Sequence, residues 1–163
     1  MTQIICVNCH TKKTDIYDII MDNFNLQRFL SAQEQKYSQA LSEIQNGEKV
    51  GHWIWYIFPQ MRGLGHSYRS TFYGIESLAE AKSYIDHPVL GARLREITNA
   101  LMLHAGNKTA REILGYIDAV KVKSCMTLFF KASGDLLFKD ALDAYYDGEM
   151  SSATLSLINA TPD

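Results

Sequence analysis

The stretch GHWIWYIFPQMRGLGHS, residues 51–67, decides the fold. Two tryptophans, a tyrosine and a phenylalanine fall within residues 53–58, with His52 before them and Pro59-Gln60 after. By propensity WIWYIF favours a strand, and being apolar on both faces it would be a buried one. A buried strand needs partners. Residues 4–7 and part of 120–130 are the other candidates, and the latter fits a helix as well. The stretch is more consistent with an apolar-all-round helix, buried and ended by Pro59, because the residue before a proline is pushed out of helical geometry. Trp55 has apolar neighbours on both sides and is expected in the core.

Outward from that stretch, helical signals recur at short intervals. Residues 25–45 carry Leu26, Phe29, Leu30, Tyr37, Leu41 and Ile44 at mostly helical spacing, with Gly47 as the stop. Ser77 with Glu80, and Thr109 with Glu112, have the form of capping boxes. Pro88 at a first turn opens the pattern Val89, Leu90, Leu94, Ile97, Leu101, Met102, and Gly106 ends it. Asp118 caps the next segment, in which Val122, Cys125, Met126 and Phe129 share one face and Lys121, Ser124, Thr127 and Lys131 another. Asp135 opens a further segment with Leu136, Leu137, Ala141, Leu142 and Tyr145, and Gly148 follows. Ser151 or Ser152 caps a last turn through Leu155 and Ile158. The expected fold is a single compact all-α domain of about seven short helices.

The 163 residues are enough for one ordinary domain, and a 47% hydrophobic content suffices for its core. The formal net charge is −2, and Lys and Arg occur scattered or in short pairs such as Lys12-Lys13. That argues against nucleic acid and anionic membranes as partners, since both call for a basic patch. No apolar run approaches the ~18 residues that span a bilayer. The first residues, MTQIICVNCHTKK, lack the basic and long apolar regions of a secretory signal, so a cytoplasmic location with reduced thiols is expected.

Three blocks carry a resemblance: residues 51–67, then HPVLGARL at 87–94, then DAVKVKSCMTLFF at 118–130, preceded by FNLQRFLSAQ at 24–33. They resemble an uncharacterised, mainly bacterial family filed as a domain of unknown function, some of whose members are labelled calpastatin. The resemblance runs from about Phe24 to Ile158 and implies an all-helical fold but no reaction. It lends nothing to calpain inhibition, because inhibitory calpastatin segments are disordered and this composition is that of a folded domain. Met21 directly precedes the family-like start. Residues 1–20 therefore read as an extension, or as translation from a start codon placed too far upstream, and 21–163 as the single all-α domain.

CVNCH, residues 6–10, has the form of a c-type haem attachment site. That chemistry needs export, a zinc site needs two more ligands, and a redox pair needs a thioredoxin-like frame, so chance accounts for it best. No cofactor and no metal site are expected. His52 reads either as a core hydrogen-bonding group or as a titratable group at a pocket rim. Gln60, Arg62 and the turn Gly63-Leu64-Gly65 favour the rim, since glycine lets a backbone approach a ligand and arginine binds carboxylate or phosphate. The tryptophans are core residues first, yet one can stack on a flat ligand while Tyr56 and Tyr73 hydrogen-bond it. Lys121 and Ser124 at i,i+3 allow a Ser–Lys contact.

The leading functional reading is a pocket protein that binds a small, polar, anionic and partly flat ligand. Its candidate contacts are His52, Trp53, Gln60, Arg62, Lys121 and Ser124. The alternatives are a protein–protein interaction module without a small-molecule site, and a hydrolase or transferase using His52 as general base.

Overall fold

Pro59 and Phe58 confine the aromatic stretch to one helical turn. In the computed structural model, which describes residues 22–161, Ile54–Ile57 is helical, and Phe58 leaves the helix at φ −121°, ψ 71°. The chain then runs extended. Ile75 N donates to Gln60 O at 2.9 Å and Arg62 N donates to Ile75 O at 2.8 Å, forming an isolated parallel bridge between Met61 and Ile75. The strand propensity of the stretch thus survives as one bridge, with a partner, Ile75, that the sequence pattern did not offer.

Among the described residues there is no strand, and a 3-10 turn, Asp22–Phe24, precedes nine α-helices. They are α1 (Gln27–Gln45), α2 (Ile54–Ile57), α3 (Tyr68–Phe72), α4 (Leu78–Asp86), α5 (Leu90–Met102), α6 (Ala110–Leu114), α7 (Tyr116–Ser133), α8 (Leu136–Tyr146) and α9 (Ser152–Ala160). The all-α expectation holds. The count exceeds seven because three helices have only four or five residues. One of them, α3, starts where the Ser67 hydroxyl accepts from Ser70 N at 3.1 Å.

Starts set by local chemistry fall where the sequence puts them. Ser77, Thr109, Asp135 and Ser151 each accept a backbone N–H of the first turn. At Thr109 the box is complete, with Glu112 reaching back. At Ser77 it is half complete, because the Glu80 carboxylate takes Glu76 N and the Arg28 guanidinium instead. Asp118 is not a cap: Gly115, at φ 79°, lets α7 begin directly after α6, and Asp118 falls inside the first turn.

Helix α7 is the central element, packed against α4, α6, α8 and α9, while α1 packs on α2 and α5. Its residues 124–129 are all buried, so that part of the helix is enclosed on every side. Of the expected polar stripe, Ser124 and Thr127 are therefore interior, while Lys121 and Lys131 reach the surface. Thr127 Oγ1 accepts from Ser151 N at 2.9 Å, and Ser124 Oγ donates to Val120 O at 3.2 Å and Ser151 Oγ at 3.4 Å. Both hydroxyls seat the start of α9. No helix among the described residues is long and apolar enough to cross a membrane. CVNCH and residues 1–20 lie outside the described residues.

Candidate functional site

The loop that carries His52 is pinned from below by one carboxylate. Glu43, near the end of α1, accepts Val50 N, Gly51 N and Trp53 Nε1, each at 2.8 Å, and Gln39 Nε2 at 2.8 Å. Burial pushes its carboxyl up, but the donors from Gly51, Val50, Gln39 and Trp53 outweigh that and hold it at about 2, below the ordinary 4.5. A depressed carboxyl stabilises the fold above its unfolded value and loses that contribution as pH falls through its folded value. Glu43→Gln is therefore expected to lower the melting temperature at neutral pH. The gap to the parent should narrow below pH 4.5 and close near pH 2. A gap that stays constant over that range would show that the loss comes from the amide's packing and geometry and not from the carboxylate's charge.

Lys49 locks the same loop onto α7. Its Nζ lies 2.8 Å from Asp118 Oδ2, donates to Gly51 O at 2.5 Å and stands 4.8 Å from the Trp53 ring. Trp53 is 1% exposed and belongs to the core. Trp55, two residues on, emerges on the other side of the turn and is only half-buried. Its ring is flanked by two cations, Lys121 Nζ at 4.8 Å and Arg69 Cζ at 5.0 Å from the centroid. Lys121 also pairs with Asp118 Oδ1 at 3.1 Å, whereas Arg69 has no carboxylate partner among the described residues.

Around this ring the surface is concave in three places. Lys49, His52, Trp55, Tyr116, Asp118 and Lys121 help to line a groove of about 460 Å³ over the α6–α7 junction. Lys36, His52, Tyr56, Arg69 and Tyr73 help to line a second, of about 590 Å³, against α1. Between Trp55, Gln60, Ser70, Tyr73 and Lys121 lies a cleft of about 10 Å³, room for a single water. Among the described residues the Gln60 amide and the Tyr56 and Tyr73 hydroxyls have no hydrogen-bonding partner of their own, and neither does the exposed His52 ring. Burial raises both phenols, the Arg69 charge drawing each partly back, so both are protonated donors at neutral pH.

Of the six residues selected from the sequence, His52, Gln60 and Lys121 meet around Trp55. Trp53 underlies them as core. Ser124 is 4% exposed and hydrogen-bonded within α7 and to Ser151, with Lys121 turned to Asp118 instead. Arg62 lies in a separate groove with Arg28, Tyr68 and Phe72, paired to Glu76. The glycine turn serves the chain itself. Gly63 sits at φ 102°, and a Cβ on Gly65 would stand 2.5 Å from Ser70 Oγ. Arg69 and Lys36 escaped the sequence reading, since neither stands in a motif. Asp118 escaped because its position suits a cap equally well.

Fold and face together define a single-domain all-α protein with an aromatic, cation-lined surface around one half-buried tryptophan. Residues 23–158 match the family described as "Protein of unknown function (DUF1810)", and the chain belongs to that family. It is similar to the conserved hypothetical protein Rv1873 from Mycobacterium tuberculosis. That crystal structure superposes with a TM-score of 0.83 at 40% sequence identity, covering 86% of this chain and 100% of that one. Comparison with curated proteins finds no match.

Proposed function

We propose that the protein binds a small anionic ligand on the face around Trp55, through Arg69, Lys121, His52 and Gln60. One observation carries this reading: in a chain of net charge −2, Arg69, lacking a carboxylate partner, shares the Trp55 ring with Lys121 beside donors that have no partner of their own. The α1 groove supports it, being lined by Lys36 and Arg69 and by no carboxylate. Both larger grooves have the ~300–1,000 Å³ typical of small-ligand sites. Tyr56 and Tyr73 supply further donors, and Glu43 and Lys49 hold the loop in place for the ligand. A cytoplasmic setting fits a soluble metabolite as ligand. We read the calpastatin label of some relatives as a misnomer, since a packed helical core is unlike a disordered inhibitor.

The test is a set of melting curves with phosphate-, sulfate- and carboxylate-bearing compounds, because a ligand that binds the native state raises its stability by mass action. Arg69→Gln and His52→Ala are expected to melt within a degree or two of the parent, both residues being exposed. Arg69→Gln should weaken anion binding at least tenfold, since a hydrogen bond to a charged group contributes ~1.5–3 kcal/mol. Shifts that persist in Arg69→Gln would remove the anion from this face. A protein-docking face is the second reading, supported by exposed Ile117 and Val120 on α7. It takes first place if no anion shifts the parental curve.

A further inference from the structure

We infer that the ligand of this face is a nucleoside phosphate, its phosphate in the α1 groove and its base in the groove over the α6–α7 junction. The inference rests on the anion-binding reading above and adds a second half to the ligand. The two grooves adjoin: His52 lines both, and Arg69, which lines the first, stands 5.0 Å from the ring of Trp55, which lines the second.

Their chemistry differs in a way that orients a bipartite ligand. The α1 groove offers Arg69, Lys36 and His52 and no carboxylate, which suits a phosphate. The groove at the junction offers Trp55, Leu114, Tyr116 and Ile117 as apolar and aromatic walls. Asp118 stands among them as a hydrogen-bond acceptor. The exocyclic amino group of a base can donate to a lone pair of that carboxylate, which an ionised phosphate oxygen cannot do. The two lysines of that groove are already engaged by Asp118, at 2.8 Å and 3.1 Å. Aromatic side chains stack on any base face, which makes Trp55 and Tyr116 the natural platform. The scattered basic residues and net charge of −2 fit a free nucleotide better than a polymer, whose many phosphates call for a basic stripe.

The experiment titrates the full chain, followed by amide NMR shifts. The probes are the common nucleoside 5′-monophosphates, the parent nucleosides, inorganic phosphate, and a short single-stranded RNA without a terminal phosphate. At least one nucleotide should bind about tenfold tighter than phosphate, a margin of ~1.4 kcal/mol that one base–aromatic stack supplies. Tyr116→Ala should erase that margin and leave phosphate binding intact. Arg69→Gln should weaken nucleotide and phosphate alike. Tyr116 is 66% exposed and Arg69 is exposed, so both variants fold. If phosphate binds as tightly as every nucleotide, the base half is wrong while the anion site stands. If nucleosides match nucleotides, the phosphate half is wrong. If neither phosphate nor any nucleotide binds, this inference and the anion reading fall together. If the RNA binds tightest with the same shifts, the ligand is a polymer and the inference is overturned.

Discussion

Replacing Trp53 by alanine will cost the fold ~3–5 kcal/mol, the usual range for a buried tryptophan or phenylalanine truncated to alanine. The side chain is 1% exposed and is among the largest fully buried ones. It packs on Phe58, ring centroids 6.4 Å apart, beneath Lys49. Its indole N–H is one of the four donors on Glu43, so truncation opens a cavity and also loosens the loop 50–53. Domains of this size are stable by only ~5–15 kcal/mol, so much of the margin disappears. Trp53→Phe separates the two effects. It retains most of the volume and loses only the hydrogen bond, for about 1–3 kcal/mol. Urea denaturation followed by far-UV circular dichroism reads both variants. A loss below ~1 kcal/mol for Trp53→Ala would mean that the core closes over the gap and that the loop is held by Lys49 and Asp118 instead. Trp55→Ala, by contrast, should cost less than Trp53→Ala, because part of the Trp55 side chain faces the grooves.

The contrast between the two tryptophans shows where sequence reading ends. Both stand in one apolar run, and flanking residues place both in the core. A single helical turn puts them on different sides, and what covers Trp55 comes from Arg69 and Lys121, far along the chain. Caps were legible because their chemistry is complete within three residues, as at Thr109 and Glu112. The helical character of the run was legible too, through Pro59. Its shortness was not, since the competing bridge depends on Ile75. Ser124 looked like a lining residue because it shares a polar face with Lys121. Its hydroxyl instead bonds Val120 O one turn back and Ser151, which arrives with α9. Half of the candidate site was visible as residue types near the aromatic run. The cation without a carboxylate, Arg69, was not, since an arginine between Tyr68 and Ser70 carries no signal of what it will face.

Arg28→Ala will destabilise the protein by ~3–5 kcal/mol, as removal of one partner from a buried ion pair does. Its side chain is 6% exposed and that of Glu80, 2.5 Å away, is 2% exposed. All five N–H bonds of the guanidinium have acceptors: Phe24 O at 2.6 Å, Asn25 O at 2.9 Å, Phe72 O at 2.9 Å, Gly74 O at 3.2 Å and Glu80 Oε1. One side chain thereby ties the entry to α1, the loop 72–74 that leads into the Ile75 bridge, and the first turn of α4. Alanine strands the Glu80 charge in the interior and leaves four carbonyls without this donor. Arg28→Lys will not rescue it, because an ammonium has three donors and no planar fork to span these acceptors. The double variant Arg28→Met with Glu80→Leu decides between charge and carbonyls as the source of the loss. If the stranded carboxylate dominates, the double variant is more stable than Arg28→Ala, because the unpaired charge has gone. If the carbonyls dominate, it is no better, and the bond to Glu80 is secondary to the loop contacts. Arg28→Ala within ~0.5 kcal/mol of the parent would refute both and show that water replaces the guanidinium at this junction.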